Sequence, residues 1–402
     1  MNILYLTAWD SYGIQFNGYL LSKQLERSGF SCHMYVAQKR FDEPSINKLG
    51  SDLTLKLDKF INAAENYFSI QRFFNFSFNE LFSTDWYKNA DVVHIQMAHA
   101  TPFLSLLSIS KLAREKKLVW TVHDPWLLTG HCIYFMDCPR WETGCGYCPD
   151  LKRHLPMRND LTSFNWRIKR EVFKKVNANL VVASEWMLDI VKKSPILSHL
   201  SCTLIPFGTD VEIFKPLDKA ECRRKLNIAE DCYVISCRWA SHNAFKGIDY
   251  LKKALEDLYL DKPTYILGFD SYVSKPDLPD RYIFMNLGWV DDQTKIAEIL
   301  NASDVFVMPS LAESFGLMAI ETMSCGVPII VFDGTSLSNV VQAPIGGISI
   351  PRDATILAVE IRNLITDLNK QKNISQNARN IAVDKYQFET YAAKHADLYR
   401  SI

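Results

Sequence analysis

Short apolar runs rich in β-forming residues alternate along this chain with longer segments in which apolar residues recur at helical spacing. The runs predict ten strands, at residues 2–7, 30–36, 91–95, 118–122, 180–183, 233–237, 264–267, 282–286, 304–308 and 327–332. Between the first two runs, residues 18–27 have the helical period, and Gly29 follows as a C-cap. The alternation is typical of βαβ units, so it predicts an α/β fold of parallel sheets with helices on both faces.

The regular pattern breaks at residues 205–216, where IPFGTDVEIFKP contains two prolines and a glycine. We predict a hinge there, between a first domain of residues 1–205 and a second of residues 206–384. Residues 385–402 have a helical pattern, and we expect this C-terminal helix to pack back on the first domain. The candidate buried contacts near this end of the chain are Tyr386, Phe388, Tyr391, Ala392 and Leu398.

The length of 402 residues agrees with two folding units, at roughly 100 to 200 residues per domain. Each half has the pattern of a Rossmann-like, doubly wound parallel sheet, and such sheets bind ligands at the carboxyl ends of their strands. We therefore expect two domains that face a central cleft, with the chemistry in that cleft.

The charge balance limits the classes of partner. The 45 basic residues equal the 45 acidic ones, which gives no overall attraction to nucleic acid. The first apolar run ends at Asp10 and has no basic leader, so we interpret it as a strand and not as a signal peptide. No stretch approaches ~18 consecutive apolar residues, so we expect a cytoplasmic chain that does not cross a membrane.

The most informative segment is SLAESFGLMAIETMSCGVPIIVF, residues 310–332, which predicts a loop that opens a helix between two strands. If the helix begins near Phe315, the N–H groups of Gly316, Leu317 and Met318 lie unpaired in its first turn, where the helix dipole favours an anion. Glu313 and Glu321 lie on either side of this phosphate cradle. Their carboxylates are candidates to accept hydrogen bonds from hydroxyl groups at the two ends of a diphosphate ligand.

Two cations stand in a second segment, ISCRWASHNAFKGIDYLKKAL. Arg238 ends a predicted strand, and Lys246 follows eight residues later, before Gly247 and a predicted helix. Cations aimed at a diphosphate leaving group stabilise the charge that grows as its bond breaks. No Asp-x-Asp metal motif accompanies them, so we infer that side-chain cations take the place of a divalent metal and that catalysis needs no cofactor.

Taken together, these motifs resemble the glycosyltransferases of family 4, which have the GT-B fold. The resemblance covers nearly the whole chain in ordered elements: Gly13, His123-Asp124, Ile205-Pro206-x-Gly208-x-Asp210 with Phe214 and Pro216, Arg238 with Lys246-Gly247, Leu287-Gly288, and Glu313 through Glu321. The resemblance implies a retaining, metal-independent transfer of a sugar from a nucleotide-diphosphate donor. In that reaction the departing phosphate oxygen takes the proton of the acceptor, so neither glutamate has to be a nucleophile.

The resemblance also implies roles for individual residues. Glu313, with the Ser314, Phe315 and Gly316 segment, would hold the donor sugar, and His123 would reach this sugar from the opposite domain. Leu317 and Met318 would hold phosphate, and Glu321 the ribose hydroxyls. The catalytic set would be His123, Arg238, Lys246 and Glu313, with Arg238 and Lys246 on the diphosphate. The loop from Gly288 to Val290 would border the base.

This sequence departs from the family pattern in its first loop. Proteins of the family usually carry paired glycines there, whereas this chain has Tyr12-Gly13 followed by four bulkier residues. We retain Gly13 as a donor-binding candidate, with a purely local turn as the alternative.

Four of the ten cysteines, Cys132, Cys138, Cys145 and Cys148, fall in one excursion of the first domain at residues 130–150. The second pair has the spacing of a metal knuckle, while the first pair is six residues apart. A structural zinc held by four thiolates, free thiols and a disulfide are the alternatives. The excursion also resembles that of family members that act in bacterial surface-polysaccharide assembly.

The resemblance suggests a UDP- or GDP-sugar donor and a saccharide or lipid-linked saccharide acceptor, used in O-antigen, capsule or exopolysaccharide assembly. Residues 152–175 are rich in lysine and arginine, and this basic stretch is either a membrane-contacting face at the inner side of the cytoplasmic membrane or a solvated helix surface.

Three other functions compete with the transferase. An inactive glycan-binding or scaffolding relative would not be expected to keep all five polar site residues. A dinucleotide oxidoreductase lacks G-x-G-x-x-G after the first strand. A zinc-dependent nucleic-acid module fits neither the neutral charge nor the rest of the chain.

Overall fold

Two parallel β-sheets organise the chain in its computed structural model, which describes residues 1–97, 99–153, 155–240, 243–269 and 276–402. One unit comprises Met1–Ile205 together with Ala392–Ile402, and the other comprises Pro206–Tyr391. The predicted hinge segment begins at residue 205, which is the last residue of the first stretch. Each unit is a Rossmann-like domain with its own sheet and its own helices.

The first unit contains seven strands in the order β3-β2-β1-β4-β5-β6-β7. Its elements are β1 (Asn2–Trp9), α1 (Tyr19–Arg27), β2 (Ser31–Gln38), β3 (Ile46–Lys48), α2 (Asp52–Tyr67), α3 (Phe76–Glu80), α4 (Asp85–Asn89), β4 (Val92–Ile95), α5 (Leu106–Glu115), β5 (Lys117–Thr121), α6 (Thr162–Phe173), β6 (Asn179–Val182), α7 (Glu185–Lys193) and β7 (Ser201–Leu204). In the parallel register, Ile3 pairs with Cys32 on one side and with Val92 on the other.

The second unit contains six strands in the order β10-β9-β8-β11-β12-β13. Its elements are α8 (Lys219–Lys225), β8 (Tyr233–Arg238), α9 (Ile248–Asp257), β9 (Thr264–Phe269), β10 (Tyr282–Gly288), α10 (Gln293–Ala302), β11 (Val305–Met308), α11 (Leu317–Ser324), β12 (Ile329–Phe332), α12 (Leu337–Val340), β13 (Ile348–Ile350), α13 (Ala354–Thr366), α14 (Leu368–Lys385) and α15 (Phe388–Ser401). The last helix ends in the first unit, which it enters at Ala392.

The order of strands in the second unit reverses between β8 and β11, which are neighbours in the sheet. A reversal of this kind leaves a crevice at the carboxyl ends of the two strands, because the connections that follow them leave in opposite directions. Arg238 ends β8, and the segment that begins at Pro309 follows β11. The topology therefore brings these two parts of the sequence to one edge of the sheet.

Burial on both faces explains why the strands were visible in the sequence. All four residues of β11 and all four of β12 are buried, as expected for parallel strands covered by helices on each side. All ten predicted strands are present, and the predicted α/β class is confirmed. Three further strands, β3, β7 and β13, were missed because each is only three or four residues long and half exposed.

The C-terminal pattern was correct in part. Tyr386, Tyr391 and Ala392 are buried as predicted. Phe388 and Leu398 are only half buried, and Tyr399, next to Leu398, is buried completely. The described helices include none with the length and low charge that a bilayer crossing demands.

Candidate functional site

The loop after β11 opens α11 through a glycine in the left-handed region. Gly316 has φ 94 and ψ 76 and is the N-cap residue, so the helix predicted to begin near Phe315 begins at Leu317. A β-carbon on Gly316 would lie 2.5 Å from Leu337 Cδ2, which explains the need for glycine at this position. The first-turn N–H groups of Leu317 and Met318 have no intrahelical carbonyl to bond, and the helix dipole makes their surroundings favourable for an anion.

A serine from the next helix holds this loop in place. Ser336 Oγ donates to the carbonyl oxygen of Glu313 at 2.9 Å and to that of Phe315 at 3.3 Å. The Phe315 ring is buried and packs edge-on against Phe207 at 5.3 Å between centroids. Ser314 is also buried. The backbone on either side of Gly316 is therefore fixed before any ligand binds.

The predicted cation Lys246 and the predicted sugar-binding Glu313 form an ion pair. Lys246 Nζ lies 2.7 Å from Glu313 Oε2, and the two side chains are 21% and 14% exposed. Lys246 ends a short 3₁₀ turn, Ala244–Lys246. In the same turn, the carbonyl of Phe245 accepts a hydrogen bond of 2.7 Å from the N–H of Leu311, which belongs to the loop after β11. The turn after β8 and the loop after β11 are thus joined by a backbone bond and by a charged pair.

Gly247 permits this close approach. It has φ +63, and a β-carbon there would lie 1.9 Å from the carbonyl oxygen of Pro309. A side chain at this position would push the Lys246 turn away from the loop that carries Glu313.

The second predicted cation, Arg238, lies beside the second predicted glutamate. The Arg238 guanidinium interacts electrostatically with the carboxyl group of Glu321. Its central carbon is 5.6 Å from the centroid of the Trp289 ring, in cation–π geometry. Arg238 therefore connects the first helix after β11 with the loop that follows β10.

Burial makes Glu321 an unusual carboxyl group. The residue is only 5% exposed. Removal from water raises the pKa of its carboxyl to about 7. The positive charge of Arg238 opposes this effect, because it favours the carboxylate. Near neutral pH this group therefore changes between an acid that donates a hydrogen bond and a carboxylate that only accepts.

The loop predicted to border the base follows β10. Gly288 has φ +65, no atom lies within 4 Å of a β-carbon built on it, and its N–H donates to Asn286 Oδ1 at 2.9 Å. Trp289 is 50% exposed, and Val290 is half buried. An exposed indole beside a guanidinium offers a flat apolar surface on which a base can stack.

His123 belongs to the first unit, where it follows β5 at the carboxyl edge of the sheet. Its Nε2 lies 2.8 Å from Gln96 Oε1, and Gln96 Nε2 lies 3.2 Å from His94 Nε2. Desolvation lowers the pKa of His123 to about 3, so its imidazole is neutral at physiological pH. The contact of His123 with the donor sugar stays a prediction.

Gly13 adopts a left-handed turn in the first unit. Its carbonyl accepts hydrogen bonds from Phe16 N at 2.9 Å and Asn17 N at 2.8 Å, and a β-carbon would lie 2.3 Å from the Phe16 ring. These contacts fit the alternative in which the glycine is required by the turn, and its role in donor binding stays a prediction.

None of the four clustered cysteines forms a disulfide. Cys145 Sγ accepts from Gly130 N at 3.3 Å, Cys148 Sγ lies 3.4 Å from His131 Nε2, and burial raises the pKa of Cys132 to about 11. Across the described ranges, no three His, Cys, Asp or Glu side chains are grouped so that they could hold a metal ion. For Cys132, Cys138, Cys145 and Cys148, a structural zinc and free thiols both stay predictions, and elemental analysis of the purified protein distinguishes them.

The basic stretch is exposed in part and paired in part. Lys169 is buried completely, and its Nζ donates to the carbonyl oxygens of Trp126 and Thr129 at 2.6 and 2.9 Å. Arg153 and Lys174 are paired with Asp150 and Glu171. Arg158, Arg167, Arg170 and Lys175 are exposed, and the predicted membrane contact of this stretch stays a prediction.

Within the second unit, the structure brings together Arg238, Lys246, Glu313, Glu321 and the start of α11. The sequence analysis missed Ser336 and Gln96. Ser336 carries no recognisable signal, since it lies 23 residues after Glu313. Gln96 follows β4 directly, and a search for polar residues at strand ends would have found it.

The chain is similar to known proteins in sequence and in fold. Residues 218–381 match the family model of the Glycosyl transferases group 1. WcaC of Escherichia coli strain K12, which is named as a glycosyl transferase of colanic acid biosynthesis, is 24% identical over 302 residues, covering 71% of this chain and 70% of that protein. The UDP-Gal:alpha-D-GlcNAc-diphosphoundecaprenol alpha-1,3-galactosyltransferase of Escherichia coli is 26% identical over 242 residues, or 57% of this chain and 62% of that enzyme.

Solved structures show the same architecture. The crystal structure of Anabaena Alr3699/HepE in complex with UDP and glucose superposes with a TM-score of 0.69 at 16% identity, covering 100% of both chains. At this identity the likeness shows the fold alone, which is the GT-B type with two Rossmann-like parallel-sheet domains.

Proposed function

Because residues 218–381 form a glycosyl transferases group 1 domain, we propose that this chain transfers a sugar from a nucleotide-diphosphate sugar to a saccharide or lipid-linked saccharide. The observation that carries the proposal is the grouping of two cations, two carboxyl groups and an open helix start at one edge of the second sheet. A nucleotide-diphosphate sugar presents hydroxyl groups, then a diphosphate, then further hydroxyl groups. Each cation is paired with one of the two carboxyl groups, Lys246 with Glu313 and Arg238 with Glu321, which suits a diphosphate with hydroxyl groups on both sides.

Within the proposed site, the N–H groups of Leu317 and Met318 donate to the phosphate oxygens, and Lys246 and Arg238 neutralise the diphosphate. Glu313 binds hydroxyl groups of the sugar, and Glu321 binds those of the ribose. The Lys246–Glu313 pair supports this assignment, because it fixes a cation and a hydroxyl acceptor 2.7 Å apart at the point where the sugar meets the diphosphate. The loop from Gly288 to Val290 then borders the base.

We propose that the reaction retains the anomeric configuration and needs no divalent metal. As the glycosidic bond breaks, negative charge grows on the diphosphate, and fixed cations stabilise it more in the transition state than in the ground state. The acceptor hydroxyl attacks from the face that the diphosphate leaves, and a phosphate oxygen takes its proton. This route requires no protein nucleophile, which agrees with Glu313 being engaged by a lysine.

We propose that the donor is a UDP- or GDP-sugar, and UDP-sugars are the candidates to test first. The Anabaena structure contains UDP and glucose, and the galactosyltransferase relative is named for UDP-Gal and a lipid diphosphate acceptor. By analogy with these two proteins and with WcaC, we place the activity in the assembly of O-antigen, capsule or exopolysaccharide. A lipid-linked acceptor further supports a cytoplasmic location with peripheral contact at the inner face of the cytoplasmic membrane.

A donor screen with EDTA present tests the proposal. We expect one nucleotide sugar to raise the Tm and to release its nucleotide slowly by hydrolysis. Lys246→Ala should slow hydrolysis strongly, whereas Lys370→Ala should not, although Lys370 also pairs with a glutamate, Glu360, at 3.0 Å. If no UDP- or GDP-sugar binds, or if binding requires a divalent metal, the corresponding part of the proposal is wrong. Binding without any transfer would favour the scaffolding alternative.

A further inference from the structure

Helix α2 of the first unit carries a stripe of large apolar side chains on its solvent side. Leu53 is 68% exposed, Leu57 41%, Phe60 73% and Tyr67 57%. These positions are separated by four, three and seven residues, so they lie along one face of the helix at 3.6 residues per turn. An exposed apolar stripe of this length is uncommon on a soluble protein surface and marks a contact.

The acidic residues in the middle of α2 face the protein interior. Asp58 is 5% exposed and accepts from the N–H groups of Phe76 and Ser77. Glu65 is 7% exposed and accepts from three backbone N–H groups, those of residues 72 to 74. Only Asp52, at the N-terminus, remains as an exposed acid on this helix.

The basic residues of the helix, by contrast, face water. Lys56 and Lys59 are exposed beside the apolar stripe, and neither has an acidic partner within 4 Å among the residues that the structure describes. The outer face of α2 therefore combines apolar side chains with positive charge. This combination is typical of a helix that lies in the interface of an anionic bilayer.

A groove continues the stripe at the C-terminal end of α2. It has a volume of ≈520 Å³ and is lined by Ala63, Tyr67, Arg72, Met157 and Arg158, among others. The Arg158 guanidinium carbon lies 4.8 Å from the centroid of the Tyr67 ring. The Arg72 side chain is held in place by Asn62 Oδ1 at 2.7 Å and the carbonyl of His99 at 3.1 Å. The groove thus presents two guanidinium groups next to an aromatic and apolar wall.

We propose that the outer face of α2 and this groove form a surface that docks on an anionic lipid bilayer. Leu53, Leu57 and Phe60 enter the interface between head groups and acyl chains, while Lys56 and Lys59 meet the negative surface. Arg72 and Arg158 bind the phosphate of one lipid head group. The proposal rests on the membrane location given under Proposed function and not on the transfer reaction.

Charge favours a bilayer over a second copy of this chain. In a two-fold symmetric contact the same face meets itself, so the lysines and arginines of the two copies would approach one another. Like charges that face each other without counter-charges oppose association. An anionic membrane supplies the complementary charge and the apolar layer together.

Co-sedimentation of the full chain with lipid vesicles tests the proposal. We expect the protein to sediment with vesicles of phosphatidylglycerol and phosphatidylethanolamine, but not with phosphatidylcholine alone. Leu53→Ser and Phe60→Ser should each weaken binding about tenfold or more, because each removes a large apolar group from the interface. Lys56→Glu with Lys59→Glu should weaken binding most at low salt. Arg158→Ala should also weaken it and reduce its salt dependence, because each change removes positive charge from the surface.

Leu368→Ser is the matched control, since Leu368 is 71% exposed but belongs to the second unit. This variant should bind vesicles as the wild type does. Equal binding by Leu53→Ser, Phe60→Ser and wild type would overturn the proposal, as would equal binding to phosphatidylcholine. Loss of sedimentation on addition of soluble glycerol phosphate would indicate a free-phosphate site instead. A dimer of the wild type that Leu53→Ser dissociates would indicate a second copy as the occupant.

Nucleotide release from the donor separates this test from that of the proposed function. All α2 variants should hydrolyse the donor in solution at the wild-type rate. Normal hydrolysis without vesicle binding would reject the docking surface alone, whereas vesicle binding without hydrolysis would reject the transferase alone.

Discussion

The ammonium group of Lys246 lies 2.7 Å from the Glu313 carboxylate, and this pair joins two segments that are 67 residues apart in the sequence. Both side chains are largely buried, so each depends on the other for charge compensation. A diphosphate that binds at the start of α11 adds negative charge next to this pair. Lys246 can then serve both Glu313 and the phosphate, which couples the position of the sugar to that of the leaving group.

We expect Lys246→Ala to lower kcat about 10²-fold or more, because it removes a fixed positive charge from the departing diphosphate. KM for the donor should change less, since the amides of α11 and Arg238 remain. Steady-state nucleotide release measures both quantities.

Lys246→Arg is the informative companion to this variant, because it keeps the charge but changes the shape of the group. Partial recovery of kcat by Lys246→Arg would assign the effect to charge. An unchanged kcat in Lys246→Ala would remove Lys246 from the site.

The sequence predicted the elements around this pair well, because parallel strands buried on both faces leave uninterrupted apolar runs. It could not predict the pair itself. Lys246 and Glu313 were assigned to different parts of the ligand, and only the adjacency of β8 and β11 in the sheet brings them together. The start of α11 was placed two residues early for a related reason, since the sequence does not reveal that Gly316 adopts a left-handed conformation.

The pH dependence of Glu321 gives a second prediction. Its pKa in the folded protein is about 7, above the ordinary glutamate value of 4.5, so folding favours its protonated form. The resulting stability is present in full below pH 4.5 and is lost as the pH rises through 7. The shift corresponds to about 3 kcal/mol in the free energy of unfolding.

Glu321→Gln should remove this dependence, because an amide does not titrate in that range. Urea denaturation at several pH values between 4 and 8 measures the difference between the variant and the wild type. Nucleotide affinity should move in the opposite direction in the wild type, since ribose hydroxyls donate better to a carboxylate. Parallel stability curves for the two proteins would contradict the assigned pKa.

Gln96 carries the third prediction. Its Oε1 can only accept, so His123 donates through Nε2–H and is held in one neutral tautomer. Gln96→Glu should raise the pKa of His123 from about 3 toward neutrality, because a carboxylate stabilises the imidazolium. NMR of ¹⁵N-histidine-labelled protein reports both the tautomer and the charge.

Thr121→Val is the control for Gln96→Glu. It removes the hydrogen bond between Thr121 Oγ1 and His94 Nε2, 2.8 Å long, and leaves the His123 contact in place. The His123 signals should therefore keep their neutral pattern in Thr121→Val. A wild-type His123 protonated on Nδ1 would contradict the hydrogen-bond direction assigned to Gln96.

Two glycines with similar backbone angles allow the effect of close packing to be separated from that of conformation. Gly247 and Gly288 have φ +63 and +65, so alanine at either position carries the same left-handed strain of about 1–2 kcal/mol. At Gly288 a β-carbon meets no atom within 4 Å, whereas at Gly247 it meets the Pro309 carbonyl oxygen at 1.9 Å. Gly247→Ala should therefore lower the free energy of unfolding clearly more than Gly288→Ala does, as measured by urea denaturation. It should also abolish donor hydrolysis, because the backbone has to move and Lys246 moves with it. Equal destabilisation of the two variants would mean that the turn after β8 does not lie against Pro309 in solution, and the predicted coupling between Lys246 and Glu313 would then fail with it.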